Sequence, residues 1–197
     1  MAWGVAARTL AGQEESGDRQ AIKLYPHGAL VAVVDGLGHG DEAAAAAKIA
    51  VATLEAHPGE SIIPLLRRCH ENLRSTRGVV MSLASFNVRE GTMTWLGVGN
   101  VEGILLRGDP AVSPRYESLL LRGGVVGGQL PALYASILPV VPGDTLIFAT
   151  DGIRSKLADH VASSDVPQRT ADTILARSAK VTDDALVLVA RYCGKAG

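Results

Sequence analysis

Only two cysteines occur in 197 residues, Cys69 and Cys193. They are too few for a disulfide framework and show no metal-ligand spacing, so both read as reduced structural thiols. An excess of charge of either sign is also missing: the formal net charge is -1 and the Lys and Arg residues are scattered. That leaves no basic field for nucleic acid. No apolar run approaches the ~20 residues needed to span a bilayer. The start, Met1 to Arg8, lacks the basic stretch and apolar core of a leader, so the expectation is a cytoplasmic protein with no membrane partner. What remains is a chain that is 47% hydrophobic with few aromatics, enough to bury one core. A single domain over 1–197 is expected.

One segment concentrates unusual features. Residues 29–34 are continuously apolar, as in a buried strand, and run directly into Asp35-Gly36-Leu37-Gly38-His39-Gly40. Glycines at 36, 38 and 40 let the chain turn without a Cβ in the way, so Asp35 and nearby carbonyls can converge on one point. Hard divalent cations favour such oxygen clusters, although an Asp-Gly after a strand is also an ordinary turn.

Further carboxylates stand in similar places. Asp18 closes Glu15-Ser16-Gly17-Asp18; Asp151 follows the apolar run 146–150 and precedes Gly152; Asp183-Asp184 leads into the apolar run 185–190. A sheet that gathered these strand ends would bring together mutually repelling carboxylates, and bound cations would relieve the repulsion.

The pattern along the chain predicts strands at 3–9 and 20–26 around a polar loop, 12–18. The second pairs with 29–34 through a turn at Pro26-His27-Gly28. Asp18 then lies at the entry of one strand and Asp35 at the exit of the next. Asp41 and Glu42 precede an alanine-rich helix, 43–54, where acidic residues complement the helix dipole. Pro58-Gly59 breaks it, and Ile62, Ile63, Leu65, Leu66, Cys69 and Leu73 recur at helical spacing in a second, antiparallel helix that ends near Arg74. A meander follows, with strands at 79–88, 92–98 and 101–107. Beyond a surface loop at 109–114 come a strand over 116–121, a flexible connection at 123–128 and the segment 130–138. A turn at Pro142-Gly143-Asp144 enters a strand at 145–150, a short helix follows Gly152, and the chain closes with a helix over 167–179 and a strand over 185–192. Strands and helices do not alternate strictly, so the expected class is α/β (α+β) with mainly antiparallel sheets.

The ordered set Ser16-Gly17-Asp18, Val34-Asp35-Gly36-Leu37-Gly38-His39-Gly40, Ala149-Thr150-Asp151-Gly152-Ile153 and Thr182-Asp183-Asp184-Ala185 resembles the metal-dependent Ser/Thr protein phosphatases of the PPM type. The match is to their compact SpoIIE-like branch, and the short length is most similar to its stressosome feedback phosphatases. This resemblance implies a four-layer α-β-β-α sandwich of two mainly antiparallel sheets flanked by helix pairs, with the site at one edge.

The resemblance also implies a ligand set. Asp35 bridges two Mn2+ or Mg2+ ions, the Gly36 carbonyl ligates one of them, Asp18 serves the first ion, and Asp151 and Asp183 serve the second. Two close cations acidify a water and neutralise phosphate oxygens during in-line attack, so no protein nucleophile is needed. Cys69, inside an apolar helical pattern, lacks the glycine-rich loop and arginine that a cysteine phosphatase requires. Only one of Asp183 and Asp184 can be the ligand if they point to opposite faces, and the motif favours Asp183. Two positions depart from the branch pattern: Ala185-Leu186 stands where relatives place a Thr or Ser, and Arg19 follows Asp18 where an aromatic is common.

Other residues carry two readings. His39 is either a general acid for the departing oxygen or a turn histidine. Arg8 is either a phosphate ligand or a solvated strand-end arginine. Asn100 reads as a turn residue, and Gly123 to Gly128 as a mobile loop rather than a phosphate cradle. The activity implied is dephosphorylation of phosphoserine or phosphothreonine on phosphorylated STAS-domain proteins of a bacterial stressosome, as negative feedback. The alternatives are a binding module that kept the fold and a hydrolase of small phosphate esters.

Overall fold

The computed structural model describes residues 1–154, 157–160 and 166–194. In chain order the elements are β1 (Ala2–Arg8), β2 (Asp18–Tyr25), β3 (Gly28–Gly36), α1 (Asp41–Ala56), α2 (Ile62–Asn72), β4 (Val79–Asn87), β5 (Thr92–Val98), β6 (Glu102–Leu106), β7 (Tyr116–Ser118), β8 (Leu121–Arg122), β9 (Ser136–Pro139), β10 (Thr145–Ala149), a 3-10 turn (Leu157–His160), α3 (Pro167–Ser178) and β11 (Ala185–Arg191).

Two sheets result. One runs β1-β11-β10-β6-β7, and the other runs β2-β3-β4-β5-β8 with β9 also on β5. All pairings are antiparallel except the short contact of β8 with β5.

The continuous apolar runs reflect burial of single strands on both faces. In β3, Leu30, Ala32 and Val34 pack with the helix residues Ala46, Ala47, Leu65 and Leu66, while Ala29, Val31 and Val33 face the other sheet. In β11, Leu186 and Leu188 join that inter-sheet core, and Val187 and Val189 pack outward with Ala171 and Ile174 of α3. Three apolar layers therefore separate four structural layers. Alanines at 43, 46, 47 and 50 are fully buried, so α1 can lie close on its sheet. A Cβ at Gly36 would stand 2.1 Å from the Ala43 carbonyl oxygen, which requires glycine there. On the other face, α3 opens with Pro167 in its first turn, where the missing N–H costs nothing. Gln168 follows: its side chain accepts from Val5 N (3.1 Å) and donates to Val5 O (2.8 Å), closing the free edge of β1.

Three local expectations change. The 116–121 strand divides, with β7 pairing β6 in one sheet and β8 pairing β5 in the other. Leu119 is buried between the sheets at the crossing point. Within 130–138 only the end is strand: β9 pairs β5, whereas Leu130, Leu133 and Ala135 pack on the helix-side core. The helix pair implied on the second face consists, among the described residues, of α3 and the 3-10 turn. Residues 155, 156 and 161–165, on which part of the short helix after Gly152 was expected, lie outside the described residues. No described helix is long and apolar enough to cross a membrane.

Candidate metal centre

The site begins with strand register. In the β2–β3 ladder Asp18 stands directly opposite Asp35, at the ends of both strands. Ser16 Oγ accepts the Asp18 N–H (3.1 Å), and Gly36 N–H donates to the Gly17 carbonyl (3.1 Å), which fixes the Gly17-Asp18 corner against the end of β3. Asp18 is buried and is held from the opposite sheet: Thr150 Oγ1, just after β10, donates to Asp18 Oδ2 (2.7 Å) and accepts from Leu186 N (2.9 Å). One hydroxyl thus joins β2, β10 and β11 at one edge of the sandwich.

Asp151 follows Thr150, and Gly152 follows it for a steric reason: a Cβ there would sit 1.7 Å from the Asp184 carbonyl oxygen. The Asp151 carboxylate accepts from Asn100 Nδ2 (2.8 Å), and its main-chain carbonyl accepts from Lys180 Nζ (2.5 Å). The two neighbouring aspartates separate in role. Asp184 is buried and accepts from Leu10 N and Gly17 N, both at 2.7 Å, so its carboxylate ties the 10–17 loop to the start of β11. Asp183 instead lines a cavity of about 350 Å3 together with Asp35, Asp151, Asn100, Gly38 and His39.

Burial pushes the Asp35 carboxyl up to about 8, with the charges of Asp18, Asp151, Asp183 and Asp184 adding to the effect. Asp18 rises to about 7, chiefly through burial and against the Thr150 hydrogen bond, and Asp183 is raised by burial and then by Asp151. A bound cation would favour the ionised form of each of these carboxyls. The donors are hard oxygens, carboxylates with a carbonyl close by at Gly36, which suits Mg2+ or Mn2+ with water in the remaining positions. Among the described residues no group of three or more His, Cys, Asp or Glu side chains is drawn together closely enough to hold a metal ion by itself.

The other candidates have definite places. The Arg8 guanidinium donates to the Lys180 carbonyl and is not among the residues that line the cavity. His39 is exposed in the loop that forms one cavity wall. Cys69 is buried, and burial pushes its thiol up to about 12, far from a reactive thiolate. The loop 123–128 contributes a bridge from Val126 to Val79 and an N–H from Gly127 to His70 Nδ1 (2.9 Å), with Gly127 close against Leu73 at the C-terminal end of α2. Asn100 is the residue that sequence reasoning left as a plain turn. It does occupy the β5–β6 turn, after Gly99 (φ 96°), and from there it reaches Asp151.

Two facing antiparallel sheets, helices outside both, and carboxylates collected where the strands end together describe the PPM-type Ser/Thr protein phosphatases. Residues 25–192 match the model of the SpoIIE family (Stage II sporulation protein E), and the chain belongs to that family. It is 29% identical over 147 residues to phosphoserine phosphatase RsbX of Bacillus subtilis (strain 168), covering 72% of this chain and 69% of that one. A solved chain from work on the bacterial stressosome, a modular system adapted to control secondary messenger signaling, superimposes with a TM-score of 0.88 at 29% identity, over 96% of this chain and 98% of the other. RsbX in complex with magnesium superimposes with a TM-score of 0.84 at 22% identity, over 95% and 92%. The chain is a SpoIIE-like PPM phosphatase similar to RsbX.

Proposed function

We propose that this protein removes phosphate from phosphoserine or phosphothreonine on STAS-domain proteins of a bacterial stressosome, in the cytoplasm, as negative feedback on that pathway. The observation that carries the reading is the opposed Asp18–Asp35 pair, with Asp35, Asp151 and Asp183 lining one cavity. Among the described residues none of the four carboxylates has a Lys or Arg ion pair.

In this reading Asp35 would serve both of two Mn2+ or Mg2+ ions, the Gly36 carbonyl would serve one of them, Asp18 would help hold the first, and Asp151 and Asp183 would help hold the second. What such ions supply when bound is an acidified water near neutral pH and positive charge for the phosphoryl oxygens. The chain's own residues do the positioning. Thr150 orients Asp18 and Asn100 orients Asp151, while the hydrogen bonds of Asp184 keep the 10–17 loop in place. Gly38, with φ 88°, shapes the wall of the cavity.

The cavity is small and its wall loops are short, so remote contacts with a folded partner are expected to place the phosphate. The test compares phosphate release from a phosphorylated STAS domain, a short phosphopeptide copied from its site, and p-nitrophenyl phosphate, each with and without Mn2+. A far higher kcat/KM on the folded domain, dependent on Mn2+, is expected. Comparable efficiencies would favour the small-ester reading, and no turnover of any substrate would favour a binding module.

A further inference from the structure

The acidic cavity raises the question of which cation meets an incoming phosphomonoester from the protein side. Arg8 donates to the Lys180 carbonyl, and the Lys180 ammonium donates to the Asp151 carbonyl, so both are used in holding the scaffold. Arg77 stands elsewhere, between α2 and β4. Its turn is fixed: Thr76 Oγ1 donates to the Leu73 carbonyl (2.7 Å) and accepts from Gly78 N (3.0 Å), and the Gly78 carbonyl accepts from Leu37 N (3.1 Å). Leu37 and Gly38 belong to the cavity wall.

The Arg77 guanidinium is split between two neighbours. Nη2 pairs with Glu42 in the first turn of α1, while Nη1 lies over Gly38, where a Cβ would come within 2.8 Å of it. Glycine at 38, at φ 88°, therefore both shapes the cavity wall and leaves room for the guanidinium. The pair is open to solvent, Arg77 at 53% and Glu42 at 68%, and an ion pair so exposed contributes little stability and yields readily to a better partner. A guanidinium carries five N–H donors in a rigid fork, so one arm can stay on Glu42 while the other serves an anion.

Arg77 and Glu42 line an adjoining cavity with Ala45, Ser75 and Thr76, and Gly38 stands between it and the acidic one. We propose that Arg77 is the substrate-positioning residue of this site: Nη1 reaches past Gly38 and donates to an oxygen of the phosphomonoester, with Glu42 holding the fork in register. The inference rests on the phosphatase reading, and the experiment separates the two. Wild type, Arg77→Ala, Arg77→Lys and Glu42→Gln are assayed with Mn2+ on a phosphorylated STAS domain and on p-nitrophenyl phosphate, and binding of inorganic phosphate to each Mn2+-loaded protein is measured by calorimetry. Arg77→Ala is expected to raise KM about tenfold on both substrates, with a smaller change in kcat, and to weaken phosphate binding by a similar factor. Arg77→Lys should recover part of the loss. Glu42→Gln should weaken phosphate binding less than Arg77→Ala does, and Mn2+ affinity should stay the same in all four proteins. Wild-type phosphate binding matched by Arg77→Ala would overturn the role of Arg77, whatever the turnover. Absence of wild-type turnover with phosphate binding retained would overturn the phosphatase reading while leaving the Arg77 comparison decisive. A wild type that neither turns over nor binds phosphate would overturn both.

Discussion

Asp18 and Asp35 face each other across the β2–β3 ladder, one buried and one half-buried, each with its carboxyl raised well above the ordinary value of 3.8. Like charges directly opposite destabilise a sheet, so this pair works against the fold when both are ionised without a cation. The consequence is a pH dependence of definite sign. Between 3.8 and about 7 for Asp18, and between 3.8 and about 8 for Asp35, the folded state holds protons that the unfolded chain has released. Stability of the metal-free protein should therefore fall progressively as pH rises through that window. Thermal unfolding in a chelator should show a Tm several degrees lower at pH 8.5 than at pH 5.5. Added Mn2+ should raise Tm most at the higher pH, and a chelated protein equally stable at both would contradict the buried pair.

Thr150→Val keeps the shape and removes the hydroxyl that serves both Asp18 and Leu186. The Leu186 N–H would lose its acceptor in a buried setting, at a cost of about 1–3 kcal/mol. Because the Thr150 hydrogen bond holds the Asp18 carboxyl down, its loss should raise that group further and weaken Mn2+ binding at low occupancy. Denaturant unfolding and Mn2+ titration together check both effects, and an unchanged midpoint would contradict the role of this hydroxyl.

Substitution at Asp184 and Asp183 should separate structure from chemistry. Asp184→Ala leaves the Leu10 and Gly17 amides without their partner, and a loss on the order of 3 kcal/mol is expected even without metal. Asp183→Ala removes one part-buried acceptor, that of the Asp184 N–H, so it should cost metal-free stability less than Asp184→Ala does, and it should raise the Mn2+ concentration needed for turnover. Since Asp151 and Asp183 are proposed to serve one ion, the double variant Asp151→Ala/Asp183→Ala should lose little beyond the worse single one. Unaltered metal stoichiometry by calorimetry in both single variants would remove them from the ligand set.

These contrasts show where the sequence was legible and where it was not. Local signals carried most of the fold: the unbroken apolar run of β3, the alanines of α1 and the helical spacing in α2 each reflect burial that a short window records. The four-layer arrangement came from the resemblance. The division of 116–121 was not readable, because β7 and β8 differ in their partner strands, β6 and β5, rather than in their own composition. Asn100 reaches Asp151 across 51 positions, and only the glycine before it hinted at a special turn. The motif chose Asp183 over Asp184, but the reason Asp184 is buried lies with Leu10 and Gly17, more than 160 positions away. Arg77 belongs to no motif, and its place over Gly38 follows from how the α2–β4 turn meets the cavity loop.

The most direct test of a two-ion centre is phosphate release from a phosphorylated STAS domain by wild type and Asp35→Asn across a Mn2+ titration, with both proteins shown to be folded. Asp35→Asn replaces the proposed bridging carboxylate by a neutral amide and removes part of the repulsion with Asp18. The expected result is a folded variant, at least as stable as wild type without metal, whose turnover is lost at every Mn2+ concentration. Equal turnover by the two proteins at saturating Mn2+ would contradict a centre built on Asp35.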